Sequence, residues 1–206
     1  MILKIYEENP NYHDVLKIVK CLENGGIIVV PTDTLYAFAC SMNYKKSVEK
    51  MAQLKGTSLG KAKFSLLCSD ISQMSEYSKP LNKEVYQLIR SCLPGPFTFI
   101  MDANGNIPRI YQNPNKTIGL RVPHNPITRV ILEMLGHPMI CTSVRVENEE
   151  MEVEYLTNPE LIHEMFHKNV DIVIDGGIGD ELPSTVIDCS NNNMEVIRRG
   201  KGEIDI

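Results

Sequence analysis

Apolar positions recur along this chain with two periods, and the period changes from segment to segment. Val15, Ile18, Val19 and Leu22 share one helical face, and Gly25-Gly26 ends that helix. Residues 27–30 form a continuous apolar run closed by Pro31, the pattern of a strand buried on both faces. Val48, Met51, Ala52 and Leu54 predict a second helix, and residues 64–68 a strand. Asn82 can cap a helix carrying Val85, Leu88 and Ile89. Residues 97–101 and 117–122 read as strands. Asn125-Pro126 then supplies an N-cap and a first-turn proline for a helix with Ile127, Val130, Ile131, Met134 and Leu135 on one side and Gly136 at its end. A strand over 139–141, a helix over about 159–167 and strands over 171–174, 185–188 and 195–198 complete the pattern. The alternation predicts an α/β (α+β mixed) architecture, a mixed sheet with helices packed on it. No repeat, low-complexity tract or linker divides it, so residues 1–206 are expected to form a single domain.

Composition narrows the class. With 43% hydrophobic and 23% charged residues, the chain has the balance of a globular protein, not of a disordered one. Its net charge of −5 means that any contact with nucleic acid needs a local basic patch. Six cysteines lie far apart, mostly beside apolar residues, and are expected to be buried free thiols of a reducing compartment. The N-terminus has neither the basic region nor the apolar core of a secretory signal, and no apolar run approaches the roughly 20 residues of a membrane span. A cytoplasmic protein with no membrane association is the expectation.

Candidate chemistry gathers at predicted strand ends. Pro31-Thr32-Asp33-Thr34-Leu35-Tyr36 follows a buried strand, so its two hydroxyls and carboxylate are either a polar turn or part of a ligand site. Leu93-Pro94-Gly95-Pro96-Phe97-Thr98 constrains the backbone before a strand. Arg121 ends an apolar strand and needs an anionic partner, either a carboxylate of the protein or one of a ligand. Ser184 and Thr185 place hydroxyls at a strand entrance, and Arg198-Arg199 add cations that alone would read as surface.

In this order and spacing, Pro31 to Tyr36, Lys55, Pro94 to Thr98, Arg121-Val122-Pro123, Thr142-Ser143, Ser184-Thr185-Val186 and Arg198 resemble the YrdC/YciO family over roughly residues 15–200. The resemblance implies a twisted open mixed sheet with flanking helices and a concave, positively lined cleft. It implies formation of L-threonylcarbamoyladenylate from L-threonine, bicarbonate and ATP, with Mg²⁺ accompanying ATP and no permanently bound cofactor. Pyrophosphate is released, and the product serves modification of adenosine 37 in tRNA. Binding of tRNA or double-stranded RNA is the implied alternative role.

Carried over residue by residue, the resemblance implies that Thr34, Cys68, Arg121, Cys141 and Ser184 surround the threonine. Arg121 takes its carboxylate. Lys55, Thr57, Lys63, Thr117, Ser143 and Arg198 fall at nucleotide-binding positions, and Lys55 and Arg121 are the catalytic cations. No metal site is implied. The chain also departs from the family. Its lysine-x-arginine motif reads Lys55-Gly56-Thr57, its serine-x-asparagine motif reads Ser143-Val144-Arg145, and tyrosine-glycine-leucine reads Tyr36-Ala37-Phe38. Loss of a guanidinium and of an amide should cost about 1–3 kcal/mol apiece where the contacts are charge-assisted. Arg145 and Lys61 are the cations that could compensate. These departures place the chain closest to the YciO branch.

Two further segments carry possible chemistry. His163-Glu164-Met165-Phe166-His167 has the spacing of a helical zinc motif. Leu161, Ile162, Met165 and Phe166 are expected to claim the core face and turn both histidines outward, with no metal bound. Asp175-Gly176-Gly177-Ile178-Gly179 is expected to be a flexible loop.

Overall fold

The computed structural model describes residues 1–146 and 150–205. Among them, ten strands form one sheet. In chain order they are β1 (Ile2–Lys4), β2 (Ile27–Val30), β3 (Ala37–Ser41), β4 (Ser65–Leu67), β5 (Phe97–Asp102), β6 (Thr117–Arg121), β7 (Met139–Ser143), β8 (Ile172–Asp175), β9 (Thr185–Asp188) and β10 (Glu195–Arg198). The spatial order is β1-β8-β2-β3-β7-β4-β6-β5-β9-β10. Four neighbouring pairs are parallel: β1 with β8, β2 with β8, β4 with β6 and β5 with β9. The remaining neighbours are antiparallel.

The helices are α1 (Tyr12–Glu23), α2 (Lys45–Leu54), α3 (Ile71–Ser75), α4 (Lys83–Cys92), α5 (Pro126–Leu135), α6 (Glu154–Thr157) and α7 (Pro159–Phe166). Local chemistry sets their ends. Asn11, Asp70, Asn82, Asn125 and Asn158 each accept backbone N–H groups at a helix start. Gly136 ends α5 in the left-handed region at φ 73°, where a Cβ is disfavoured.

The two faces of the sheet are covered differently. One is packed along most of its width. Val48 and Met51 of α2, Val85 and Ile89 of α4, and Ile162 and Phe166 of α7 meet Phe38, Leu66, Phe99, Leu120 and Ile187 there. Phe166 stands edge-on to Phe38 with ring centroids 4.9 Å apart. The other face is covered by α1 and α5 over β1, β8, β2, β3 and β7 and as far as Leu67 at the end of β4. Past Leu67, over Ser65 of β4 and over β6, β5 and β9, no helix among the described residues lies on that face, and Ser65, Gly119, Thr98 and Ser184, which precedes β9, present small and polar side chains to an open cleft.

The elements expected from periodicity are present, with shifts of one or two residues at their ends. Four were not expected: β1, β3, α3 and α6. β3 is the central case. Its sequence Ala-Phe-Ala-Cys-Ser contains no β-branched residue and no alternation, because all five residues are buried between β2 and β7. In α7, Ile162 and Phe166 are buried as expected, but Met165 is exposed and Leu161 only half-buried, because the apolar stripe of this helix is narrower than its composition suggests. Tyr36 restrains the glycine-rich loop: its hydroxyl donates to the Gly177 carbonyl (2.8 Å) and accepts from Gly176 N–H (3.2 Å). Gly177 itself adopts φ 91°. The six cysteines are unbonded; Cys40, Cys68, Cys141 and Cys189 are buried, and Cys21 and Cys92 half-buried. No helix among the described residues is long and apolar enough to cross a membrane.

Phe38 is wholly buried and braces α7 against the sheet. Phe38→Ala is expected to cost about 3–5 kcal/mol in a urea unfolding titration, the range for deleting a core phenyl ring.

Candidate functional site

The pleat builds the floor of the cleft. Cys141, Ser65, Gly119 and Ile100 are successive cross-strand partners from β7 through β4 and β6 to β5, and all four face the cleft. Their chain neighbours Ile140, Leu66, Leu120 and Phe99 point into the opposite core. Gly119 gives the floor its depth: a Cβ there would come within 2.4 Å of Ser65 Oγ and 3.1 Å of Thr98 Cγ2. The resulting cavity holds about 370 Å³.

One wall is the turn after β2. Thr32 Oγ1 donates to the Leu35 carbonyl (2.8 Å) and accepts from Thr34 N–H (3.0 Å). The Thr32 and Thr34 hydroxyls lie 2.9 Å apart. Arg121, at the end of β6, donates through Nη2 to Asp33 Oδ1 (3.1 Å) and Thr34 Oγ1 (3.0 Å). Asp33 Oδ2 also accepts from His124 N–H (2.9 Å). The side chains of Arg121 and Asp33 are only 10% and 8% exposed, so this ion pair is poorly screened by water. Nε of Arg121 is buried with no hydrogen-bond partner among the described residues. The carboxylate that the sequence demanded for Arg121 is therefore supplied by the protein on one side of the guanidinium.

The opposite wall is cationic. Arg198 donates to the Ser184 carbonyl through Nε (3.2 Å) and Nη2 (2.8 Å), and Ser184 Oγ lies 2.8 Å from Thr98 Oγ1. Desolvation depresses the pKa of the Arg198 guanidinium below its ordinary value, and repulsion from Arg121 and Arg145 lowers it further. Three guanidiniums thus share one cleft, with Lys63 and Arg145 exposed at its rim. Cys141 also lines the cleft; burial pushes its thiol up to about 11 against the opposing effects of Arg121 and a backbone hydrogen bond from Ser65.

Of the residues expected at the site, Thr34, Lys63, Arg121, Cys141, Ser143, Ser184 and Arg198 line the cleft together. The others lie elsewhere. Cys68 belongs to the opposite core, because it is one residue out of phase with the cleft-facing set and its N–H bonds the Arg121 carbonyl (2.8 Å). Thr117 is buried at the far end of β6, where its hydroxyl accepts from the cleft residue Asn113 (3.2 Å). Thr57 closes the turn after α2 through its N–H to Ala52 (3.0 Å) and does not line the cleft. Lys55 is buried behind the wall, with Nζ donating to Ser143 Oγ (3.3 Å) and to the Arg145 carbonyl. Sequence reasoning gave no site role to Ser65, Thr98, Asn113 and Gly119, although Thr98 closes one of the motifs that carry the resemblance. The alternation of Phe97, Phe99 and Met101 with Thr98 and Ile100 was the available signal. The His163 and His167 rings stand 5.7 Å apart on α7, and His167 Nδ1 bonds the Glu164 carbonyl (2.9 Å). No group of three His, Cys, Asp or Glu side chains able to hold a metal occurs among the described residues.

Known proteins resemble this chain in sequence and in fold. The Sua5/YciO/YrdC family model, described as telomere recombination, matches residues 20–200. The uncharacterised protein YciO of Escherichia coli is 35% identical over 201 residues, 97% of this chain and 95% of the relative. Its crystal structure superimposes with a TM-score of 0.90, covering 98% and 97% of the two chains. A threonylcarbamoyl-AMP synthase of Nitrosococcus oceani is 30% identical over 134 residues, 65% of this chain and 71% of the relative. The structure of P. abyssi Sua5 complexed with L-threonine shares the fold at a TM-score of 0.87 and 20% identity, over 97% of this chain and 57% of Sua5.

Two outcomes follow from the geometry. Asp33→Ala leaves the Arg121 guanidinium buried without its carboxylate and is expected to lower unfolding stability by about 3 kcal/mol, read by chemical denaturation. Cys141, with its thiol pushed up to about 11, should resist iodoacetamide at pH 8 in the folded protein and react after unfolding, as mapped by peptide mass spectrometry.

Proposed function

The chain belongs to the Sua5/YciO/YrdC family, and from that premise we propose that its cleft joins the carbamate of a small amino acid to AMP, the reaction of a threonylcarbamoyl-AMP synthase. The convergence of Arg121, Arg145 and Arg198 on one hydroxyl-lined cleft carries this reading. The reaction brings two anions together, and fixed cations offset their repulsion. Condensation of the threonine ammonium group with bicarbonate forms the carbamate and releases water and a proton. A carbamate oxygen then attacks the α-phosphorus of ATP. The new P–O bond forms as the bond to pyrophosphate breaks, and pyrophosphate leaves with that bond's electrons. No side-chain nucleophile is required.

In this reading the unpartnered flank of Arg121 binds the amino-acid carboxylate, with Thr34 and Ser184 beside it. Ser143, Lys63 and Arg198 face the nucleotide. Arg145 stands in for the guanidinium lacking at Thr57, and Lys55 is a positioning residue that braces the Ser143–Arg145 segment from behind. Mg²⁺ arrives with the ATP phosphates. The cleft offers guanidiniums, an amine and hydroxyls, and the adjacent Asp33 carboxylate is engaged by Arg121, so these side chains do not suit a metal site of their own. The relatives named threonylcarbamoyl-AMP synthase and Sua5 complexed with L-threonine support the amino acid. The product would serve adenosine 37 modification in tRNA.

A second reading, structured RNA lying across the same cleft, is favoured by the exposure of Lys63 and Arg145 at the rim. Salt-sensitive RNA affinity without nucleotide turnover distinguishes it.

The test is pyrophosphate release from ATP in bicarbonate, with and without L-threonine. Release is expected to depend on threonine, to lose that dependence in Arg121→Ala, and to show a roughly tenfold higher KM for ATP in Arg145→Ala, the loss of about 1.4 kcal/mol of phosphate contact. Absence of threonine-dependent release beside an active control would overturn the reading.

A further inference from the structure

A second polar crevice lies outside the cleft. β4 and β6 are parallel neighbours, and each is followed by a helix. The helices leave in opposite directions: α3, through Met74, joins the face that is packed along most of its width, whereas α5, through Ile127 and Ile131, joins the half-covered one. Such a divergence opens a crevice at the carboxyl ends of the two strands, the place where open α/β sheets bind ligands. Here it holds about 560 Å³. Pro94 and Val122 line it beside Ser69, Ser72, Tyr86, Arg90 and Arg129.

Its polar groups are mostly donors with no acceptor among the described residues; Arg90, Ser72 and Tyr86 are exposed, and Ser69 and Arg129 half-buried. Nε of Arg129 is buried and has no hydrogen-bond partner among the described residues. The other end of Arg129 is only 3.8 Å from Glu133, at the limit of an ion pair. The Arg90 side chain makes no ion pair or hydrogen bond among the described residues, and neither do the hydroxyls of Ser69 and Ser72. Asp70 also borders the crevice as an exposed carboxylate; its Oδ1 caps α3, accepting from Gln73 N–H at 2.8 Å, and the two guanidiniums outnumber its single negative charge. Two forked guanidiniums with flanking hydroxyls suit an oxyanion with several acceptor oxygens, which a phosphate group provides.

We propose that this crevice between α3, α4 and α5 is a second anion site that binds a phosphate group, free or esterified, independently of the cleft. It does not depend on the reaction proposed above, since none of its residues lines the cleft.

The experiment is a titration of the full chain with inorganic phosphate, followed by the backbone amide resonances of the ¹⁵N-labelled protein against sodium chloride of equal ionic strength. Saturable shifts are expected at Ser69, Ser72, Arg90 and Arg129, and should be absent with chloride. In an Arg90→Ala, Arg129→Ala double variant the affinity at these amides should fall at least tenfold, while shifts of Gly119 and Ser143 in the cleft stay as in the wild type. Repeating the titration with AMP separates a free-phosphate site, which AMP leaves unchanged, from a phosphate-ester site, which it saturates. Either supports the proposal. Crevice shifts that do not saturate, that chloride reproduces, or that persist unchanged in the double variant would overturn it. If the double variant fails to fold, the wild-type comparison of phosphate with chloride decides alone.

Discussion

In β5, β6 and β9 each residue that enters the core sends its neighbours to the opposite face, because side chains alternate across a strand. Phe97, Phe99 and Met101, Ile118 and Leu120, and Ile187 fill the covered face. Thr98 and Ile100, Gly119 and Arg121, and Ser184 and Val186 are thereby delivered to the cleft. No helix among the described residues crosses that half of the sheet, so the delivered side chains meet open space instead of a second core. The same parity carries Cys68 away from the site although it lies three residues from Ser65.

The polar contacts depend on that placement. Arg121 can be buried only because Asp33 and Thr34 reach it from the turn after β2, which brings together segments 88 residues apart in sequence. Arg198 is held by Ser184 from the neighbouring strand, and Arg145 by the end of β7 that Lys55 braces. A chain of net charge −5 thus concentrates three guanidiniums in one concavity, at an electrostatic cost visible in the depressed pKa of Arg198. Such a cluster is at its most stable with anions between its members, which is why the cleft reads as a place for carboxylate and phosphate.

Much of this was legible in the order of residues. Helices with asparagine caps and apolar stripes, such as α1, α4 and α5, announce themselves locally. So does a doubly buried strand built of β-branched residues, such as β2. β3 was silent because Ala-Phe-Ala-Cys-Ser owes its extended form to two flanking strands rather than to its own propensity. The motif residues Thr34, Arg121, Ser184 and Arg198 were legible through family resemblance, since their spacing along the chain is characteristic even where each residue alone is ambiguous. Thr98, Ser65 and Gly119 were hidden, being small residues in apolar strands whose role appears only when the strands align.

By itself, then, the sequence determined the class of fold, the positions of its main elements, the family, and the cations and hydroxyls available to a site. Those follow from local periodicity, capping and motif order. Only the tertiary structure decided that Asp33 answers Arg121, that Lys55 stands behind the wall while Arg145 enters the cleft, and that Cys68 belongs to the core. Each of these depends on strand order, on the pleat's phase relative to its neighbours, and on which half of the sheet the helices leave uncovered. They are relations between distant segments, and no local pattern encodes them.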